Sequence, residues 1–256
     1  MRIVRFALKG RTGYGFLQEE QVFPLWDSPF SGLTETGEVL ALGEVNLLAP
    51  CEPSKIIALA LNYRHHATEF GRPVPEEPLI FMKPSTSVIG PDAPIVYPKM
   101  SRRVDYEAEL AVVMAKTTRH VSEDQALAYV LGYTCFNDVT ARDLQKKDGL
   151  FTRAKGFDTF AAMGPWIETD IGDPDQVIVE AFLNGERRQH ASTDTMVFGV
   201  RQLISFISQV MTLLPGDVIA TGTTAGVGPM RPGDLVEVRV EGIGTLRNTV
   251  VAEEGT

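Results

Sequence analysis

The sequence predicts an α+β fold rich in β structure, with a few covering helices and a small N-terminal β unit ahead of the main body. Three observations predict it. Short apolar runs bounded by glycine and proline recur along the 256 residues. Val236, Val238 and Val240 alternate with Glu237, Arg239 and Glu241, as a half-buried strand requires. Helical spacing marks two longer segments. At the N-terminus, Arg2 to Leu8 and Tyr14 to Leu25 read as extended segments joined by the turn Lys9-Gly-Arg-Thr-Gly13. Leu47-Leu-Ala-Pro-Cys-Glu-Pro53 then sets two prolines ahead of an apolar strand, Lys55 to Leu61. This places a boundary near residue 50, with a small β domain over 1–50 and the main domain over 51–256.

The first helix is predicted from Ser122-Glu-Asp-Gln125, a Ser-x-x-Gln capping box followed by Leu127, Val130 and Leu131. The second carries Val200, Leu203, Ile204, Ile207, Val210 and Met211 on one face and stops at Pro215-Gly216. Strands follow at Asp217 to Ala220, Leu235 to Val240 and Thr245 to Val251, the last two joined by Gly242-Ile-Gly244. Pro-Gly-Asp occurs at 215–217 and 232–234, which is turn chemistry and no internal repeat.

Composition excludes several classes. A chain of 256 residues with 44% hydrophobic and 22% charged residues has ample material for its own core and is no disordered segment. No uninterrupted apolar run exceeds six residues, so no spanning helix is expected, and charges break the first residues where a secretory signal would be continuous. The reading is a cytoplasmic protein. The formal charge of −9 argues against a phosphate-tracking surface, so the partner expected is a small molecule and neither nucleic acid nor membrane. The two cysteines, Cys51 and Cys135, form no Cys-x-x-Cys pair and suggest neither a disulfide framework nor a thiolate zinc site.

Asp105-Tyr-Glu-Ala-Glu-Leu-Ala-Val-Val-Met-Ala-Lys116 is the most informative stretch. On a strand Glu107 and Glu109 share a face about 7 Å apart, and the apolar run after them marks a buried element. Two buried carboxylates repel each other and call for a cation; at an exposed strand end they are simply hydrated. Asp138 offers a third carboxylate, or else a turn or helix cap before Thr-Ala-Arg. Three carboxylates without Cys or His make a hard oxygen site suited to Mg²⁺, Mn²⁺ or Ca²⁺. His66 and Glu69 fall on one face of a helical turn, where the glutamate supports the imidazole as a general base, unless the segment is a solvated surface turn. Thr221-Gly-Thr-Thr-Ala-Gly-Val-Gly-Pro229 lacks P-loop and dinucleotide signatures; its backbone N–H groups either approach a small anion or form an ordinary β-turn.

Six stretches in order resemble the fumarylacetoacetate hydrolase family from about residue 50 to the C-terminus. They are Ala60-Leu-Asn-Tyr63 with His66 and Glu69, Phe81-Met-Lys-Pro-Ser85, Tyr106-Glu-Ala-Glu-Leu110, Asn137-Asp-Val-Thr-Ala-Arg-Asp143, Lys155, and Thr221-Gly-Thr223 with Gly226-Val-Gly-Pro229. The resemblance implies a β-sandwich-like roll of mixed sheets, usually dimeric, around a Mg²⁺ or Mn²⁺ site. Glu107, Glu109 and Asp138 match the metal ligands, and His66 and Glu69 match the catalytic dyad. Lys155 matches the lysine near the substrate, while Arg142, Gln145 and Thr223 match substrate-contacting positions. Where many members have proline after Thr-Gly-Thr, this chain has Thr224. The activity implied is hydrolysis of a carbon–carbon bond in 2,4-dioxo acids of the acylpyruvate type, through a pyruvate enolate that the ion stabilises. The alternatives are a decarboxylase of a β-keto dicarboxylate such as oxaloacetate, or an isomerase of the homoprotocatechuate-pathway branch. A further alternative is a non-catalytic metabolite-binding member.

Overall fold

In the computed structural model, residues 1–69 and 71–254 are described. The framework is a twelve-stranded mixed sheet. Its main path runs Leu40–Ala41, Gln21–Pro24, Arg11–Gln18, Arg2–Leu8, Ala161–Glu168, Val130–Asp138, Ala108–Met114, Val218–Ala220, Ile56–Ala60 and Leu79–Lys83. A five-stranded sheet (Glu186–Ser192, Ile178–Leu183, Leu235–Val240, Gly244–Ala252, Ile95–Tyr97) and a three-stranded one (Thr140–Ala141, Val104–Tyr106, Gly228–Met230) complete the β-rich roll. No helix among the described residues is long and apolar enough to cross a membrane.

Strand periodicity explains how the layers meet. Leu110, Val112 and Met114 pack into one buried cluster with Val179, Ala181, Val236 and Val238 of the five-stranded sheet, whereas Ala111 and Val113 belong to a second cluster with Ala58, Phe136 and Val218. Alternate residues of one strand thus feed two cores, because successive side chains leave opposite faces. That is why this strand is apolar throughout. Glu109 shares the parity of Ala111 and Val113, so the second face is the one that carries a carboxylate.

The helix Val200–Val210 buries Val200, Leu203, Ile204 and Ile207, as its spacing predicts. It ends at Val210, short of Pro215-Gly216, and the following Leu213 instead exchanges backbone hydrogen bonds with Thr118. Its N-terminus is capped from a distant loop, the Asp175 carboxylate accepting from Val200 N–H at 2.9 Å. The other helix departs from expectation. Glu123–Tyr129 is a 3₁₀ turn, Ser122 makes no side-chain cap, and Val130 and Leu131 open the strand Val130–Asp138. This segment pairs on both sides with Ala108–Met114 and Ala161–Glu168, and a ladder on both edges outweighs a local capping pattern. Gly132 permits the close pairing, since a Cβ there would lie 2.4 Å from the Glu168 carbonyl oxygen.

The N-terminal segment Tyr14 to Leu25 is not one strand. It folds back at Glu19-Glu20, giving Arg11–Gln18 and Gln21–Pro24 with Gln18 opposite Gln21. Val4, Phe6, Leu17, Val22 and Val45 form a small core of their own there, yet Arg2–Leu8 also pairs with Ala161–Glu168 and so continues the main sheet. The Pro-Gly-Asp tripeptides form matching turns, with Gly216 and Gly233 at positive φ and a backbone bond from each Asp N–H to the residue three earlier.

Candidate active site

Three elements bring the carboxylates together. Ala108 pairs with Asn137 and Glu109 with Phe136 across adjacent strands, so Glu107 and Asp138 sit opposite one another at the same end of the ladder. Asp138 N–H donates to the Glu107 carbonyl at 2.9 Å, fixing that register. One oxygen from each of Glu107, Glu109 and Asp138 lies within 4.8 Å of the others, and all three residues are buried.

Cations surround two of the three. Lys155, at the end of the short helix Thr152–Lys155, donates from Nζ to Glu107 Oε2 (2.8 Å), Asp138 Oδ2 (2.5 Å) and Thr140 Oγ1 (2.8 Å). Arg142 Nη2 reaches Glu107 Oε1 at 2.5 Å, and its Nε reaches Asp105 Oδ2 at 3.0 Å. Burial works against charge on Glu107, yet Lys155, Arg142 and His66 outweigh it and hold the carboxyl well below its usual range. Burial likewise opposes charge on Lys155, and Asp138 and Glu107 reverse that to hold the ammonium more firmly than usual. Glu109 is different. Its hydrogen-bond donor among the described residues is the Gly222 N–H at 2.9 Å. Burial, then repulsion from Asp138 and Glu107, push its carboxyl well above the usual range.

His66 lies on the helix Arg64–Glu69, with Nδ1 3.2 Å from Glu69 Oε2. Burial disfavours its imidazolium more than Glu107 and Glu69 favour it, so its pKa is lowered from 6.5. A cavity of about 480 Å³ is lined by His66, Glu107, Arg142, Gln145, Lys155 and Thr223, with Leu59, Leu61, Leu79, Phe81 and Phe151 as an apolar wall. That volume suits a small organic ligand. Gln145 Oε1 accepts from Arg142 Nη1 at 2.7 Å, so the two act as one unit. Thr223 Oγ1 donates to the Ala108 carbonyl and accepts from Gln189 Nε2, both at 2.8 Å.

The structure thus places all nine residues singled out from the sequence around one end of the central strands. In the glycine-rich loop two N–H groups approach the protein's own carboxylates, Glu109 at Gly222 (2.9 Å) and Glu69 at Gly226 (3.1 Å). Lys83 escaped sequence reasoning although its stretch was noted. Its Nζ lies 2.5 Å from Asp138 Oδ1, on the side opposite Lys155, and it is fully buried. The signal was a lysine closing the apolar strand Leu79–Lys83, two residues from Phe81 and hence on the same face.

The β-rich roll and its buried acidic triad beside a His-Glu pair belong to a family whose members are enzymes. The chain belongs to the fumarylacetoacetate hydrolase family: residues 55–251 match the family described as fumarylacetoacetate (FAA) hydrolase C-terminal. Residues 1–50 match the Rv2993c-like N-terminal family. Among curated relatives, a 2,4-didehydro-3-deoxy-L-rhamnonate hydrolase of Sphingomonas sp. is 44% identical over 77% of this chain and 73% of its own length. A 5-carboxymethyl-2-hydroxymuconate delta-isomerase from Mycobacterium smegmatis superposes with a TM-score of 0.93 at 43% identity, covering 99% of this chain and all of that one. A maleylpyruvate hydrolase from Sphingobium sp. SYK-6, solved with manganese(II) and pyruvate, gives 0.83 at 31% identity, covering 99% of this chain and 100% of its own.

Proposed function

We propose that this protein is a divalent-metal-dependent hydrolase that cleaves the C3–C4 bond of a 2,4-dioxo acid of the acylpyruvate type. The observation that carries this reading is the His66–Glu69 pair, at 3.2 Å, with the imidazole lining the same cavity as Glu107 and Lys155.

The donor set fits a hard cation. Three buried carboxylates contribute oxygen only, and Glu109 has no cationic hydrogen-bond partner among the described residues, which leaves a charge deficit for an ion such as Mg²⁺ or Mn²⁺ to fill. Held by Glu107, Glu109 and Asp138, such an ion would supply Lewis acidity at the 2-oxo acid end of the substrate. The remaining work falls to the chain. Arg142, held by Gln145, and Lys155 offer positive charge to the substrate carboxylate. His66, kept neutral by burial and oriented by Glu69, takes a proton from water as its oxygen adds to the C4 carbonyl carbon. The C3–C4 pair of electrons then moves onto the 2-oxo end, C3 is protonated, and the products are a carboxylate and pyruvate. Decarboxylation of a β-keto dicarboxylate needs the same electron acceptor but no water.

Isomerisation is the second reading, favoured by the 0.93 TM-score to an isomerase; there His66 would move a proton at C3. Acetylpyruvate and oxaloacetate assayed in parallel, after EDTA and again with Mg²⁺ or Mn²⁺ restored, separate the readings. Metal-dependent release of acetate plus pyruvate supports the hydrolase. Pyruvate plus CO₂ from oxaloacetate alone moves the assignment to a decarboxylase, and silence on both turns it to the isomerase. His66→Ala is expected to abolish hydrolysis with metal binding intact; full turnover in that variant would remove the general base.

A further inference from the structure

Two consecutive backbone amides beside the acidic triad are closed by side-chain amides. Glu107 N–H donates to Asn137 Oδ1 and Ala108 N–H to Gln189 Oε1, both at 2.9 Å. Asn137 is the cross-strand neighbour of Ala108. Gln189 comes from much farther away: it is buried on Glu186–Ser192, the edge strand of the five-stranded sheet, 81 positions along the chain. Both of its donors are used as well, since Nε2 donates to Thr223 Oγ1 and to the Thr224 carbonyl, each at 2.8 Å.

A bulge aims that side chain inward. Phe182 pairs with Arg187 and Ala181 with Gln189, so Arg188 is the extra residue between them. Residues directly opposite share a face, so Gln189 joins buried Ala181 while Arg187 stays with Phe182 on the outer side. Regular alternation would have put Gln189 on the side of exposed Arg187, two positions earlier. The glycine-rich loop then meets this strand at two points. Thr223 and Thr224 take the Gln189 amide, and Gly226 comes so close to the Arg188 carbonyl oxygen that a Cβ would lie 2.3 Å from it.

Three hydrogen bonds thereby close a ring on the residue between the two glutamates. Ala108 N–H donates to Gln189 Oε1, Gln189 Nε2 donates to Thr223 Oγ1, and Thr223 Oγ1 donates back to the Ala108 carbonyl. Ala108 is gripped by both of its polar backbone groups. Gly222, next to Thr223, supplies the N–H that Glu109 accepts, so the same ring also seats that donor. Resting on the divalent-metal reading above, we infer that Gln189 is a positioning residue of the metal cage. It lies outside the cavity wall and acts by locking Ala108 to the glycine-rich loop, which fixes how Glu107 and Glu109 present their carboxylates to an ion. Carboxylates so close repel one another, and a frame that holds them in place lets the ion bind without first ordering its ligands.

Calorimetric titration of the metal-free protein with Mn²⁺ tests this. Gln189→Met keeps the length of the side chain and removes all three of its hydrogen bonds; binding is expected to weaken about tenfold, as loss of a partner behind the ligands does. Gln189→Asn, one methylene short of its partners, retains a polar amide and carries the same expectation should the Met variant not fold. Val250→Ala, buried in the same sheet on Gly244–Ala252, is the control for stability alone: Tm should fall with Mn²⁺ affinity unchanged. Thr223→Val opens the ring from the loop side, so adding Gln189→Met to it should weaken Mn²⁺ binding little further. Unchanged affinity in the Gln189 variants, an equal loss in Val250→Ala, or fully additive losses with Thr223→Val would overturn the positioning role while the metal reading stands. Failure of the wild type to bind Mn²⁺ would overturn the metal reading itself, and the role of Gln189 with it.

Discussion

Glu69 joins the His66 imidazole to the glycine-rich loop. Its Oε2 lies 3.2 Å from His66 Nδ1, and its Oε1 accepts a 3.1 Å hydrogen bond from Gly226 N–H. The carboxylate therefore orients the base and ties the short helix Arg64–Glu69 to the opposite wall. Glu69→Gln keeps an oxygen for Gly226 but removes the charge, whereas Glu69→Ala loses both. Hydrolysis of acetylpyruvate is expected to fall about 100-fold in the Gln variant and further in the Ala variant; equal losses would mean that only the charge matters.

The pH profile follows from the same pair. The base must be neutral, and burial lowers the His66 pKa below 6.5, so the acid limb of kcat/KM should lie below that value. Glu69 favours the imidazolium, so its replacement by Gln moves the limb lower still. An acid limb that moves upward in this variant would contradict the assigned role.

Glu109 makes a thermodynamic prediction. Its carboxyl holds a proton more firmly in the folded chain than at the ordinary value of 4.5. The folded state then binds more protons than the unfolded one, so this group's stabilising contribution is present below 4.5 and lost as pH climbs through the raised value. Metal-free protein should therefore lose urea stability with rising pH in that window, and Glu109→Gln should flatten the loss. The same variant should bind Mn²⁺ at least about tenfold more weakly; unchanged affinity by calorimetry would take Glu109 out of the cage.

Lys83 is held by Asp138 with no access to water. Burial lowers its pKa from 10.5, the nearby Lys155 lowers it further, and Asp138 offsets part of this. Removing one member of a buried pair leaves the other uncompensated, so Lys83→Met should cost on the order of 3 kcal/mol in urea denaturation. A loss below about 1 kcal/mol would show that Lys155 alone neutralises Asp138.

Gly226→Ala tests the loop itself. Gly226 has φ +97°, and a Cβ there would lie 2.3 Å from the Arg188 carbonyl oxygen. Strain of this kind costs about 1–3 kcal/mol, and relieving it would also pull the loop from Glu69. The expected result is a lower Tm together with reduced turnover; a Tm unchanged from wild type would refute the close approach.

Much of the framework was legible because it follows period. Leu235–Val240 alternates, Val200–Val210 repeats at helical spacing, and the apolar run after Glu109 is a strand buried on both faces. Features decided by distant partners were not legible. Ser122 has the local pattern of a cap, but two neighbouring strands claim Val130 and Leu131. The carboxylates could be proposed from i, i+2 spacing, yet the Lys83–Asp138 contact spans 55 positions. Gln189 carries no local signal at all, since Arg187, Arg188 and His190 around it are exposed and only the bulge turns it inward.

The loop 221–229 touches both halves of the chemistry: Gly222 N–H holds Glu109, Thr223 Oγ1 holds the Ala108 carbonyl, and Gly226 N–H holds Glu69. Two of these three grips are backbone amides, which no replacement short of proline deletes. Alignment of cage and base is thus written into the path of the main chain. That path itself depends on Gly222 and Gly226, both at positive φ with no room for a Cβ, and a one-residue insertion would throw both halves out of alignment together.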